Sequence, residues 1–113
     1  MSEEKRRAPR INITAWAHIT VKGESASKLG TVANISRVGL GIQMKELIEA
    51  GTFVAIELKF LDEAQGTITW KTSGTVVRCA STENGHFLGV DFAVPITILS
   101  APEMDVVLRK NRV

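Results

Sequence analysis

Tyrosine is missing from this 113-residue chain, cysteine occurs once and histidine only twice. The lone Cys79 excludes an intramolecular disulfide, and its neighbours Val76, Val77 and Ala80 read it as a small buried hydrophobe on a strand rather than a reactive thiol. His18 and His86 are far apart in sequence with no carboxylate or thiol at ligand spacing, whereas a metal site needs three or four convergent ligands. Walker, Rossmann, nucleophile-elbow and Cys-x-x-Cys patterns are absent, and the carboxylates are scattered over turns, so no general acid and base pair offers itself. The sequence therefore predicts a protein that is not an enzyme and holds no cofactor or metal. Nor does any apolar run approach the roughly 20 residues that span a bilayer. The basic start Lys5-Arg6-Arg7 has no apolar stretch behind it, unlike a secretory signal. A cytoplasmic protein without membrane insertion is the expectation.

What is present suits one small core. The chain is 44% hydrophobic and 23% charged, and 113 residues are too few for two ordinary domains. Its net charge of +2 hides an uneven distribution. Lys5, Arg6, Arg7 and Arg10 crowd the start, and Arg109, Lys110 and Arg112 crowd the end. Such clusters suit nucleic acid, acidic lipid, a small anionic ligand or plain solvation, and charge alone does not choose.

Residues 1–10 show no hydrophobic period and read as a basic arm, kept extended at Ala8 by Pro9. Residues 11–113 read as the folded domain. Ile11, Ile13, Ala15, Ala17, Ile19 and Val21 alternate with mostly polar neighbours, the period of a half-buried strand. Four more strands follow at 28–35, 40–44, 53–61 and 86–93, with a short helix or loop at 45–52. Residues 67–81 read as one long strand bent by a bulge at Ser73-Gly74, a two-residue hairpin being the alternative. Glu83-Asn84-Gly85 is a turn. In the tail from Pro95, Glu103 and Asp105 precede Arg109 and Lys110 as a helix dipole prefers, with Ser100 as cap, Pro102 in the first turn, and Met104, Val107 and Leu108 facing inward. The fold class is all-β: a six-stranded antiparallel barrel, which leaves no open edges, with a C-terminal helix.

Two short patterns carry chemistry. In Arg6-Arg7-Ala8-Pro9-Arg10, an extended chain puts Arg6 and Arg10 on one side about 13 Å apart. Guanidinium groups there can grip phosphates, pair with a guanine edge or stack on a purine; the bland reading is a solvated tail. In Asn34-x-Ser36-x-x-Gly39, the amide and hydroxyl can meet a base edge or phosphate. Gly39 can take positive φ or let a ligand or backbone come close. Here the bland reading is a self-bonded Asx or Ser turn. Trp16 and Trp70 read as core or surface residues, Trp70 having a stacking role as its alternative.

Arg-x-x-x-Arg directly before the first strand, followed by Asn-x-Ser-x-x-Gly after the second, resembles the PilZ family. Gly74-Thr75-Val76-Val77-Arg78 and Phe87-Leu88-Gly89-Val90-Asp91-Phe92 are similar to that family's last strand pair. The resemblance covers roughly residues 5–93. It implies a barrel that binds cyclic di-GMP, with Arg6 and Arg10 holding guanine and phosphate groups, Asn34 and Ser36 reading a guanine edge, and Gly39 shaping the turn. Arg7 and Lys5 flank the arginines and strengthen the local field. It also implies a downstream protein partner, since the chain has no second domain of its own. Two other classes compete. A small nucleic-acid-binding barrel would display more than 5% aromatics for stacking bases, so DNA and RNA are not expected as partners. A ligand-free interaction barrel would not need both motifs intact.

Overall fold

A computed structural model of the chain describes residues 13–62 and 66–111. Six strands and one helix follow in order: β1 (Ala15–Val21), β2 (Lys28–Ile35), β3 (Gly39–Met44), β4 (Phe53–Asp62), β5 (Gly66–Thr82), β6 (Gly85–Phe92) and α1 (Pro102–Lys110). The strands close into a barrel in the order β1-β2-β3-β6-β5-β4, every neighbouring pair antiparallel. Closure follows from the alternation in the sequence: each strand has one apolar face, and rolling the sheet buries all six at once.

Inside, size is matched across strands. Ala15 lies opposite Phe60 and Ala17 opposite Leu58, so these small side chains of β1 leave room for large ones of β4. Ile35, Leu40, Ile42, Val54, Leu58, Val76 and Leu88 are fully enclosed, and each such side chain contributes about 1.5–3 kcal/mol relative to exposure. Trp70 belongs to this core, 8% exposed, with its ring edge-on to Phe92 at 5.2 Å. Burial there removes it as a surface for stacking bases. Cys79 is half-buried against the core.

The remaining differences from the sequence reading are local. The first strand begins at Ala15, although Ile13 still packs against the core. Residues 45–52 form a loop with Ile48 buried, and no helix. The long fifth strand is continuous, but its register shifts between Val76 and Arg78 rather than at Ser73-Gly74. Gly74 is instead a place of close approach: a Cβ there would lie closer than 3.0 Å to the Asp91 carbonyl oxygen. The β5–β6 turn does use glycine for its backbone, Gly85 having φ +136°.

Helix α1 covers the barrel end where β1 starts and β2 and β4 finish. Met104, Val107 and Leu108 are buried, and Lys110 donates to Asp62 at 2.7 Å. Pro102 occupies the first turn as expected, whereas Ser100 does not cap. The N-cap position is Ala101, without a side-chain bond. Ser100 Oγ accepts from Thr97 N at 2.9 Å and donates to the Pro95 carbonyl at 2.8 Å, closing the loop that leads into the helix.

Candidate functional site

The Asn34–Gly39 segment joins β2 to β3, and its four chemically distinctive residues point to different tasks. Ser36 is 1% exposed. Its backbone N–H donates to the Gly39 carbonyl at 2.8 Å, and its Oγ accepts from Val38 N at 3.2 Å. The hydroxyl thus builds the turn from within, a self-bonded Ser turn. Gly39 is not in the left-handed region, which corrects the expectation of positive φ. Its role is clearance: a Cβ would lie closer than 3.0 Å to the Val90 carbonyl oxygen and 3.3 Å from Asp91 Cα, because β6 runs directly alongside.

Arg37, between them, reaches the helix. Its Nη1 donates to the Ile96 carbonyl at 3.2 Å and to Asp105 Oδ1 at 2.7 Å, while Arg109 Nε donates to Asp105 Oδ2 at 3.0 Å. Asp105 is 5% exposed, a buried carboxylate flanked by two guanidinium groups. The hydrogen bond from Arg37 holds its carboxyl below the usual carboxylate range; burial opposes this, and the charges of Arg109 and Arg37 reinforce it. The motif turn and helix α1 are therefore one connected unit. Sequence spacing could not show this contact, since 68 residues separate the partners.

Asn34 faces outward. A register shift between Val32 and Asn34 turns it to the outer wall opposite Gly41. From there one row crosses four strands: Asn34 of β2 pairs with Gly41 of β3, Gly41 with Gly89 of β6, and Gly89 with Arg78 of β5. A second register shift, between Val76 and Arg78, sets the far end of the row. Neighbouring strands are about 4.8 Å apart, so the row spans roughly 14 Å. Its middle is two glycines. A Cβ on Gly41 would lie 2.5 Å from Phe87 Cζ and 3.2 Å from Asn34 Oδ1, so the Phe87 ring and the amide lean over that glycine. The Arg78 guanidinium lies 5.7 Å from the centre of the Phe87 ring, a cation–π contact on the exposed surface.

Of the residues expected in the site, Asn34, Ser36 and Gly39 fall in one turn; Arg6, Arg7 and Arg10, with Lys5, lie outside the described residues. Gly41, Phe87, Gly89 and Arg78 went unread as site neighbours because their meeting depends on both register shifts. A cleft of about 470 Å³ between Ile13, Phe60, Asp62, Val107 and Lys110 holds none of the motif residues. Among the described residues, Asn34, Gly41, Gly89 and Arg78 form a row on the barrel's outer wall. Among the described residues no group of three or more His, Cys, Asp or Glu could hold a metal, and no helix is long and apolar enough to cross a membrane.

The family model for the PilZ domain matches residues 4–104. No curated protein matches the chain. Two solved structures share its fold. The Bacillus subtilis inhibitor of motility (MotI/DgrA) superposes with a TM-score of 0.73 at 15% identity over 93% of this chain. This chain spans about half of that one, 48% of its length. The PilZ domain of YcgR from Escherichia coli, solved with c-di-GMP, superposes with a TM-score of 0.62 at 13% identity, covering 94% of this chain and 87% of that one.

Proposed function

The chain belongs to the PilZ domain family, and from that premise we propose that it is a receptor for cyclic di-GMP which closes its N-terminal arginine arm over the ligand and signals through a protein partner. The family is one of ligand-binding receptor domains rather than enzymes. The observation that carries the reading is the extent of the family match: residues 4–104 include Arg6, Arg7 and Arg10 as well as Asn34, Ser36 and Gly39.

The roles follow from chemistry and placement. Asn34 stands on the outer wall at the end of β2 and offers an amide to a guanine edge. Ser36 and Gly39 fix the turn that holds Asn34, so Ser36, 1% exposed, serves guanine recognition through that turn. Arg6 and Arg10 supply guanidinium forks for phosphate and guanine, and Arg7 adds to the field. Ile13, the first described residue, lines the cleft under α1 with Phe60 and Val107, at the barrel end that also carries the motif turn. Arg10 precedes Ile13 by three positions, a span of at most about 10 Å.

The energetics allow this. Ordering an arm opposes binding by about 1–2 kcal/mol per residue. Charge-assisted bonds contribute about 1.5–3 kcal/mol each, and micromolar affinity corresponds to about −8 kcal/mol, so several such bonds are required. Cytoplasmic location belongs to the same reading, as an intracellular messenger requires.

Isothermal titration with cyclic di-GMP, run beside GTP and cyclic di-AMP, tests it. Selective binding is expected, with an affinity loss of at least about tenfold for Arg10→Ala, the size of one charge-assisted bond, and a larger loss for Arg6→Ala/Arg10→Ala. Absence of heat at high ligand concentration, in a folded protein, overturns the reading.

A further inference from the structure

At Gly30, Gly39, Gly74 and Gly85 a Cβ would come closer than 3.0 Å to backbone or core atoms, and at Gly41 to the movable Phe87 ring. Gly89 is different. It lies in the middle of β6, its φ is not positive, and a Cβ there would meet only Arg78 Cβ at 3.7 Å and Val77 Cγ2 at 3.9 Å, ordinary contacts. A Cβ would fit, and β-branched residues favour strands in general. Gly89 lies opposite the β5 register shift, yet its φ is not positive and no atom crowds its Cβ position, so neither backbone strain nor packing requires glycine there. The use that remains is clearance for something outside it.

What surrounds this clearance identifies the visitor. On one side the Arg78 guanidinium rests on Phe87, 5.7 Å from its ring centre, and Arg78 is exposed. Among the described residues no carboxylate pairs with it. On the other side, across Gly41, stands the Asn34 amide. An exposed guanidinium poised over an aromatic ring is suited to stack a second flat π-system.

Resting on the cyclic di-GMP reading above, we propose that Gly89 is the floor and Arg78 the wall of a purine subsite, which receives one base of the dinucleotide while Asn34 engages the other end about 14 Å away. The Arg78 guanidinium lies flat on the purine face and Phe87 holds the arginine in that plane. Gly89 stays bare so that the ligand can settle against the backbone of β6.

The proposal separates stability from binding. Gly89→Val, Arg78→Ala and the unaltered protein are compared by thermal unfolding and by titration with cyclic di-GMP. Gly89→Val is expected to unfold at the same temperature or higher, yet to lose at least about tenfold in affinity, because the valine occupies the floor. Arg78→Ala is expected to unfold unchanged and to bind about fivefold more weakly, the scale of one exposed cation–π contact. Wild-type affinity in Gly89→Val overturns the subsite, and wild-type affinity in Arg78→Ala removes the arginine from it. A Gly89→Val protein that is clearly destabilised also overturns it, since the glycine is then structural. If the unaltered protein is folded and binds no cyclic di-GMP, the functional reading itself fails, an outcome distinct from all of these.

Discussion

Replacing Gly39 by alanine tests why the motif ends in glycine. The added methyl would sit closer than 3.0 Å to the Val90 carbonyl oxygen and 3.3 Å from Asp91 Cα, both backbone atoms of β6. No rotamer change relieves that overlap; β3 and β6 must separate at a point where Leu40 pairs with Val90 and Phe92 N donates to the Val38 carbonyl at 2.8 Å. Overpacking of this kind costs about 1–3 kcal/mol, and one strained or lost backbone bond adds about 1 kcal/mol, giving about 2–4 kcal/mol. With about 2.1 cal/mol/K per residue of unfolding entropy, 113 residues give about 0.24 kcal/mol/K, so the melting temperature should fall by about 8–17 °C. Gly41→Ala provides the contrast. Its methyl meets the tip of the Phe87 ring at 2.5 Å and Asn34 Oδ1 at 3.2 Å, side-chain atoms that can swing aside, so a loss below about 1 kcal/mol is expected. Thermal unfolding of both variants without ligand decides the matter. Equal melting temperatures for the wild type and Gly39→Ala would refute the close approach of β6, and with it the view that Gly39 acts through packing.

Two further outcomes follow from the same turn. Ser36→Ala leaves Val38 N–H without its hydroxyl partner and should destabilise the ligand-free protein by about 1–2 kcal/mol, or about 4–8 °C; an unchanged melting temperature would mean that Ser36 matters only to ligand. Asp105 has a folded pKa held below its unfolded value by Arg37, so its stabilisation is complete above about pH 3.9 and is lost as pH falls through the folded value. Asp105→Asn should therefore melt lower than wild type at pH 7, with the gap closing toward pH 2; parallel curves throughout would contradict the ion-pair account.

Legibility from sequence divided along the range of the interaction. Strand positions come from local alternation, and the turn at Glu83-Asn84-Gly85 from local chemistry, so both were readable and both are found in the barrel. Register shifts are not local. Nothing in the residues around Val76 marks the shift there more strongly than Ser73-Gly74 would, because the position depends on how β5 must follow both β4 and β6. The Ser100 cap failed for a similar reason: the hydroxyl found the Pro95 carbonyl and Thr97 N within its own loop first. Asp105 carried one faint signal, an acidic residue adjoining Met104 on the face expected to be apolar, and such a residue calls for a buried cation. Its partner could not be named without the fold.

The motif segment gains its meaning from divided labour within six residues. Ser36 is buried and Gly39 lies against the β6 backbone, both fixing the turn, while Arg37 runs to Asp105 and Ile96 and Asn34 faces out beside Gly41. A turn so constrained leaves its one outward amide little freedom, which lowers the entropy lost when a ligand is held there. The same constraint links the outer wall to the helix, because the backbone between Asn34 and Arg37 is short and its middle is buried at Ile35 and Ser36. Asn34 and the Arg37–Asp105 pair are therefore three positions apart along one backbone stretch whose interior side packs against the core at Ile35.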